Sequence, residues 1–449
     1  MTGTVNVADL RLVDWGTATA EEHHRILARG SDHDGVDEGL RASIATIVED
    51  VRKRGDAALV DALGRFDKMT LPAQRLLVSE EEFAQARAAV SKPLIEAIRT
   101  SIAQVRAFNE LIVERASWTA EPRPGLLVGE QATAIPSVGL FVPSGKGSFP
   151  SVLIQIATPA VVAGVERIVV MVPPVPGGSG QVDPATLVAA QELGLSEVYR
   201  SNGPAGIAAL ACGTETVPKV RKIVGPGSPA VACAQLEVQR LGCVVEVGFG
   251  PTDALIVADD SADLRLLAAD LINEAEHGPD SSAVLVSTSR TLLEGVRAHV
   301  AEQLAELPEP RRTYATTSIA ANGGLVLAAS REEAMEVANA YAPEHLQLAV
   351  AEPKAWLPLA KYSGTVLLGQ WTTFAASNFA IGTPATLPTT GFAQVSSGVT
   401  ASTYLVRAAL AQLDEAEFRR LAPVVTELAG HEGFPAHTAT VTVRERASE

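Results

Sequence analysis

The 449-residue chain is short of aromatic side chains, of cysteine and of positive charge. Aromatics make up 4% of it, against an apolar share of 47% dominated by Ala, Val and Leu. That balance implies aliphatic cores of the kind that helices form on parallel strands. Three cysteines, Cys212, Cys233 and Cys243, are present without the CxxC spacing of a metal or redox motif. Each lies in an apolar context, so they read as buried core thiols in a reducing compartment. With 36 basic against 52 acidic residues, the formal net charge of −16 disfavours binding to nucleic acid or to an anionic membrane surface. A small-molecule partner is expected instead. No apolar run approaches the ~20 residues of a membrane span. The opening MTGTVNVADLRLVDW lacks the basic and apolar segments of a secretory signal. A soluble, cytoplasmic protein is expected.

The length calls for more than one domain, at ~100 to 200 residues each. From Glu38 to Arg115 apolar residues recur at helical spacing, as in LRASIATIVEDVRKRGDAALVDALGRF, which predicts several amphipathic helices. After TAIPSVGLFVPSG the pattern changes. Apolar strands such as RIVVMVPP, EVYRS and VRKIVG alternate with the helices SVLIQIATPAVVAGV, PATLVAAQELG, PAGIAALACG and PAVACAQLEVQRLG. A second alternating set runs from CVVEVGFGPTDALIVAD to REEAMEVANAYA. Continuous apolar strands separated by helices imply parallel sheets covered on both faces, hence an α/β fold in two units. Beyond Gly369, WTTFAASNFAIGTPATLPTTGFAQVSSG reads as a long irregular loop of the functional kind, and the chain closes with short helices.

Four constellations can carry chemistry. In LINEAEHGPDSS, Glu274 and His277 stand three residues apart and project from one helix face, while Glu276 points elsewhere. The pair is either half of a Zn²⁺ site or a histidine favoured by the C-terminal helix dipole. In NAYAPEHLQL, Pro343 suits a first helical position, so Glu344 and His345 fall on a helix start or tight turn with side chains facing different ways. An acid and an imidazole so placed serve two separate proton transfers, or are an acid at a helix N-terminus beside a packing histidine. HEGFPAH sets His437 near His431 and Glu432, a terminal cluster that is otherwise ordinary surface. Of the glycine loops, FVPSGKGSFP fails the spacing of a phosphate-binding P-loop, and VRKIVGPGSPAVACAQ is a loose dinucleotide turn with Gly225, Gly227 and Ala230.

Read jointly, VGLFVPSG, AALACGTETVPKVRKIVGPG, GPTDALIVAD, ADLINEAEHGPDS, YAPEHLQL and HEGFPAH occur in the order in which the histidinol dehydrogenase family carries them. The chain resembles that family from about residue 38 to 445. The resemblance implies two incomplete Rossmann-like parallel-sheet domains with small helical terminal segments, in a homodimer that swaps its tails and shares its active sites. On that basis residues 1–37 form an N-terminal extension, 38–140 and 253–398 a discontinuous α/β domain with the metal and catalytic motifs, 141–252 an inserted Rossmann-like domain, and 399–449 a helical tail. The implied chemistry is oxidation of an alcohol through an aldehyde to a carboxylate in two NAD-linked steps, with one Zn²⁺ per site. Carried onto this chain, the metal ligands are Glu274, His277, Asn378 and His437. Glu344 and His345 are the catalytic pair, and Glu432 holds the substrate amine.

Departures from the family pattern cluster at these positions. Glu274 stands for Gln and Asn378 for Asp, an exchange that preserves one carboxylate and one amide among the ligands. At the cofactor, Phe141, Ala205 and Ser228 replace Tyr, Gln and Asn. In the substrate region, Thr252 and Asp253 replace Ser-Glu, and Ala385 replaces a His. Losing polar groups from a site that reads a polar substrate costs discrimination heavily. The substrate expected is L-histidinol or, as these substitutions favour, another small amino alcohol or diol. The alternative is a non-catalytic or single-step paralogue that binds a small molecule and keeps the fold.

Overall fold

The structure, a computed structural model, describes residues 10–29, 38–143, 147–178, 180–246, 248 and 250–447. Residues 144–146 of the rejected P-loop lie outside the described residues, as do the first nine. Among the described residues, fourteen strands form three sheets. They are β1 (Leu12–Asp14), β2 (Trp118–Arg123), β3 (Leu126–Ala134), β4 (Ser137–Phe141), β5 (Arg167–Val172), β6 (Val198–Arg200), β7 (Lys222–Val224), β8 (Val244–Val245), β9 (Asp253–Ala258), β10 (Ser282–Ser287), β11 (Gly324–Leu327), β12 (His345–Ala349), β13 (Thr365–Leu368) and β14 (Leu405–Leu413).

Two sheets are wholly parallel, as the unbroken apolar runs require: β6-β5-β4-β7-β8 and β1-β11-β10-β9-β12-β13. Every residue of β9, β10 and β12 is buried. Crossover helices start where the sequence supplies a cap: Asp183, Asp263, Ser289 and Ser330 each accept a backbone N–H of the helix that follows. Aliphatic cores fill both faces of each sheet. Among the described residues, no helix is long and apolar enough to cross a membrane. Cys233 and Cys243 are buried as expected, Cys212 only half-buried, and all three are free thiols.

Three expectations need correction. The helices between Glu38 and Glu114 do not pack on the 253–398 sheet but cover the five-stranded one. Ile44, Val48 and Leu59 join Phe141 and Ile207 in one core, while Ile98, Ile102 and Val105 join Val138 and Leu153 in another. The reason lies in the crossover helices themselves. Helix Gly203–Cys212 is buried continuously from Ala205 to Ala211 and helix Pro150–Ala163 from Leu153 to Ala160, so each needs an outer apolar layer as well as the sheet. Secondly, the N-terminal segment is no appendage, because β1 pairs with the edge strand β11 of the six-stranded sheet. Thirdly, the tail is not wholly helical. LVRAALAQL has helical apolar spacing, yet β14 pairs antiparallel with β3 along all nine residues, in a small sheet with β2. Two helices, Glu415–His431 and Pro435–Ala447, follow it.

Candidate functional site

The order of the five-stranded sheet reverses between β4 and β7, and a crevice opens there at the carboxyl ends of the strands. Phe141, at the end of β4, Ala205 and Ser228 all line this single cleft of about 360 Å³. Helices Gly203–Cys212 and Pro229–Gln239 start at it, each with proline in its first turn. Their N-terminal dipoles and free N–H groups suit an anionic group such as a pyrophosphate. Gly225 is required by the close approach of the strands. Its φ is 144°, and a Cβ there would run into the carbonyl oxygen of Phe141. The cleft has the size and apolar lining of a small-molecule site.

The second centre sits at the opposite kind of edge, the amino ends of β9 and β12. Helix Arg331–Tyr341 ends at Ala342, which is left-handed (φ 47°), and Pro343 leads straight into β12. Glu344 and His345 thus begin a buried strand rather than a helix, because the pairing of His345 with Ala254 and Thr365 satisfies the backbone. Nor do their side chains diverge. Glu344 precedes the regular pleat, so its carboxylate turns back and Oε1 lies 3.5 Å from Nε2 of His345. Both residues are buried, with 6% and 2% of their surface exposed. Asp253 braces the turn: its Oδ1 accepts the Glu344 N–H at 2.7 Å, and its own N–H donates to Glu344 Oε2 at 3.3 Å.

Glu274 lies near the end of helix Leu264–Ala275, on its buried face, and is wholly inaccessible. Asn273 Nδ2 donates to its Oε1 at 2.6 Å, while Oε2 has no hydrogen-bond partner. His277 falls beyond the helix end and is exposed. Its Nδ1 lies 3.3 Å from the Glu274 carbonyl oxygen, so in this chain it occupies the dipole-facing position. Glu274 and His277 thus differ in exposure, one inaccessible within the helix and the other at the surface beyond its end. Asn378 lies in the irregular loop, on a π turn spanning Ser377–Ile381, and is half-buried. Gln155 reaches across from helix Pro150–Ala163, donating to the Asn378 carbonyl oxygen at 3.5 Å and accepting the Ala385 N–H at 3.3 Å. Thr252 precedes β9, and its carbonyl accepts the Ser282 N–H at 3.0 Å. Glu432 and His437 are exposed on the terminal helix pair. Phe434 lies 5.0 Å from the His437 ring. Among the described residues no three His, Cys, Asp or Glu side chains gather as a metal site, so Glu274, His277 and His437 do not come together within one chain.

Burial and charge set the proton affinities. Burial raises the Glu344 carboxyl above its usual value, and the adjacent imidazole offsets this in part. Burial also raises Asp253, against the pull of Arg29 and two backbone N–H groups. For His345 burial disfavours the charged form, but the carboxylates of Glu344, Glu274 and Asp253 outweigh it and hold the imidazole at about 9. One turn before Glu274, burial lifts Asp270 to about 6, while a 2.9 Å bond from Gln347 Nε2 opposes the shift. Each of these folded values lies above its unfolded counterpart, so the stability they contribute is complete at low pH and is lost as pH rises through them. Chelator-treated protein is expected to lose stability in urea as pH rises to about 6, through the titration of Asp270, and on to about 9, through that of His345. A rise in the urea midpoint across that window contradicts this charge arrangement.

Asp270, Gln347 and Gln155 escaped the sequence reading. Gln347 lies two residues beyond His345, a spacing that points to the same strand face and was the available signal. Gln155 carries none, as an amide in an apolar helix has no periodicity of its own.

Known proteins resemble the chain along nearly its whole length. The sequence profile described as histidinol dehydrogenase matches residues 32–445. Histidinol dehydrogenase of Synechocystis is 39% identical over 97% of this chain and 99% of its own, and that of Methanosarcina barkeri 37% over 94% and 95%. A protein of Mesorhizobium japonicum named histidinol dehydrogenase homolog 2 is 40% identical over 90% of this chain and 91% of its own. The crystal structure of histidinol dehydrogenase from Elizabethkingia anophelis superposes with a TM-score of 0.91 at 29% identity, covering 98% of both chains. Fold and sequence thus match along nearly the whole length, and this protein belongs to the histidinol dehydrogenase family, a family of NAD-dependent oxidoreductases.

Proposed function

We propose that the chain is a zinc-assisted, NAD-dependent dehydrogenase that oxidises a small polar primary alcohol through its aldehyde to the carboxylate. The observation that carries this reading is the buried contact of Glu344 with His345, held at 3.5 Å. Acid and imidazole are both inside the protein, where proton transfer is shielded from water. Family membership supports NAD as the oxidant, and the cleft beside Phe141, Ala205 and Ser228 is the proposed seat for it.

The residues fit a divalent cation on one count: Glu274 Oε2 is a buried carboxylate oxygen without a donor, an arrangement that costs free energy until something positive meets it. Glu274, His277 and Asn378 would hold the ion together with His437 from a second copy. Bound there, zinc would polarise the alcohol oxygen and counter the charge of Glu274, bringing the imidazole down from about 9 towards working pH. His345 then takes the alcohol proton as hydride leaves for the nicotinamide. Glu344, its affinity raised by burial, would take a proton from the water that adds to the aldehyde, and loss of a hydride from that hydrate to a second NAD⁺ would complete the acid.

A homodimer with exchanged tails is part of the proposal. Val424, Leu428, Phe434 and Val443 on the terminal helices are 54%, 58%, 48% and 62% exposed, an apolar surface that a second copy would cover. The same exchange would carry Glu432 and His437 to the partner's Glu274. The preferred substrate is a small amino alcohol or diol other than L-histidinol, since Ala385 offers a methyl group where the family offers an imidazole.

NADH absorbance with a panel of amino alcohols and diols, in the presence of Zn²⁺, tests the reading. Turnover of at least one, abolished by a chelator and restored by zinc, is the expected result. NAD⁺ binding without turnover on any alcohol would favour the non-catalytic alternative. The cofactor seat has its own test. Ser228 is exposed at the N-terminus of helix Pro229–Gln239, so Ser228→Glu adds a charge that the helix dipole tolerates. It is expected to leave thermal stability intact while weakening NAD⁺ binding by about tenfold or more through repulsion of the pyrophosphate. Unchanged affinity in a fluorescence titration places the cofactor elsewhere.

A further inference from the structure

Four non-glycine residues among those described have left-handed backbones, and three of them, Arg29 (φ 56°), Ala342 (φ 47°) and Thr390 (φ 53°), surround one buried ion pair. Such conformations cost free energy and persist only where the surroundings over-determine them. Here the surroundings are a guanidinium and a carboxylate. Arg29 ends helix Ala20–Ala28 and is 7% exposed. Its Nε lies 3.4 Å from Oδ2 of Asp253, its guanidinium carbon 3.9 Å from the ring centroid of Tyr341, and its Nη2 donates to the Ala342 carbonyl at 3.5 Å. The Tyr341 ring is itself fixed, because its hydroxyl donates to Ser282 Oγ at 2.8 Å. Asp253 passes the constraint on. Its Oδ1 accepts the Glu344 N–H at 2.7 Å and its Oδ2 the Thr390 N–H at 2.6 Å.

We infer that Arg29 is a positioning residue for Glu344: its guanidinium fixes the Asp253 carboxylate, and the ion pair holds the 341–344 turn and Thr390 so that Glu344 meets His345. This rests on the catalytic role proposed for that pair. The N-terminal segment thereby becomes part of the active-site architecture, which neither its sequence nor its edge strand suggests. A buried ion pair is weak evidence of stabilisation, since apolar replacements of both partners are often neutral. Geometry is the function that remains for it.

The test uses the full chain with Arg29→Met, Arg29→Lys and the double variant Arg29→Met/Asp253→Asn, which removes the uncompensated carboxylate if the first does not fold. In the double variant NAD⁺ binding is expected to stay as in wild type. Amide exchange in peptides covering 342–346 and 388–391 should quicken about tenfold while 282–287 is unaffected. On the best alcohol of the panel, kcat should fall about 100-fold with KM little changed, as for a misplaced reacting group. Arg29→Lys, which keeps the charge but loses the fork that reaches Ala342, should recover part of kcat. Wild-type exchange and kcat in the double variant would overturn the inference, as would exchange quickened equally in 282–287. If wild-type protein turns over no alcohol at all, the proposed function fails on that result, and the exchange pattern alone decides whether Arg29 is the brace.

Discussion

His345→Asn is expected to lower kcat about 1000-fold, within the range that a positioned general base contributes, while leaving KM and NAD⁺ affinity near wild type. Asparagine keeps a polar group of similar reach but takes no proton. The expectation follows from the surroundings of His345. Its Nε2 faces Glu344, its Nδ1 is buried without a partner, and its ring packs edge-on against Phe374 at 5.7 Å. The ring is thus held by packing and by one carboxylate. Glu344→Gln should act on the other half of the reaction, halving the NADH formed per alcohol consumed because the aldehyde is no longer hydrated efficiently. Initial rates and end-point NADH yields separate the two variants. A His345→Asn enzyme with undiminished kcat removes this imidazole from the chemistry.

The second large effect concerns substrate choice. Ala385→His should raise kcat/KM for L-histidinol about 100-fold and lower it for the preferred alcohol, because a site that hydrogen-bonds a polar group discriminates strongly against one that cannot. The exchange is tolerable in the fold. Ala385 is half-buried, and its backbone N–H is anchored by Gln155 at 3.3 Å, so the loop keeps its course whatever the side chain. Competition between L-histidinol and the preferred alcohol gives the ratio directly. An unaltered ratio means that Ala385 does not face the substrate.

At the crevice between β4 and β7, residues distant in sequence come together. Phe141, Ala205 and Ser228, more than eighty residues apart end to end, line one cleft: Phe141 ends β4 and Ser228 follows β7, the strands between which the order reverses, while Ala205 lies in the first turn of the helix that follows β6. At the amino ends of β9 and β12 the arrangement was not legible. Pro343 suggested a helix start for Glu344 and His345, but a left-handed Ala342 and pairing to β9 and β13 made them the head of a strand at its amino end. Spacing placed Glu274 and His277 on one face, yet the helix stops at Ala275 and leaves one buried and the other in solvent.

What the sequence determined by itself is what depends on neighbours along the chain. Apolar runs fixed the parallel strands, capping residues fixed the helix starts, and ordered motifs fixed the family. Tertiary structure alone decided which layer the early helices cover, that LVRAALAQL extends as β14, and that Arg29, Gln155 and Asp253 stand behind the reactive groups. The physical reason is that hydrophobic periodicity and capping are short-range signals carried by a few consecutive residues. A buried ion pair or a bridging amide leaves no such trace, because its energy exists only once segments distant in the chain have packed and excluded the water between them.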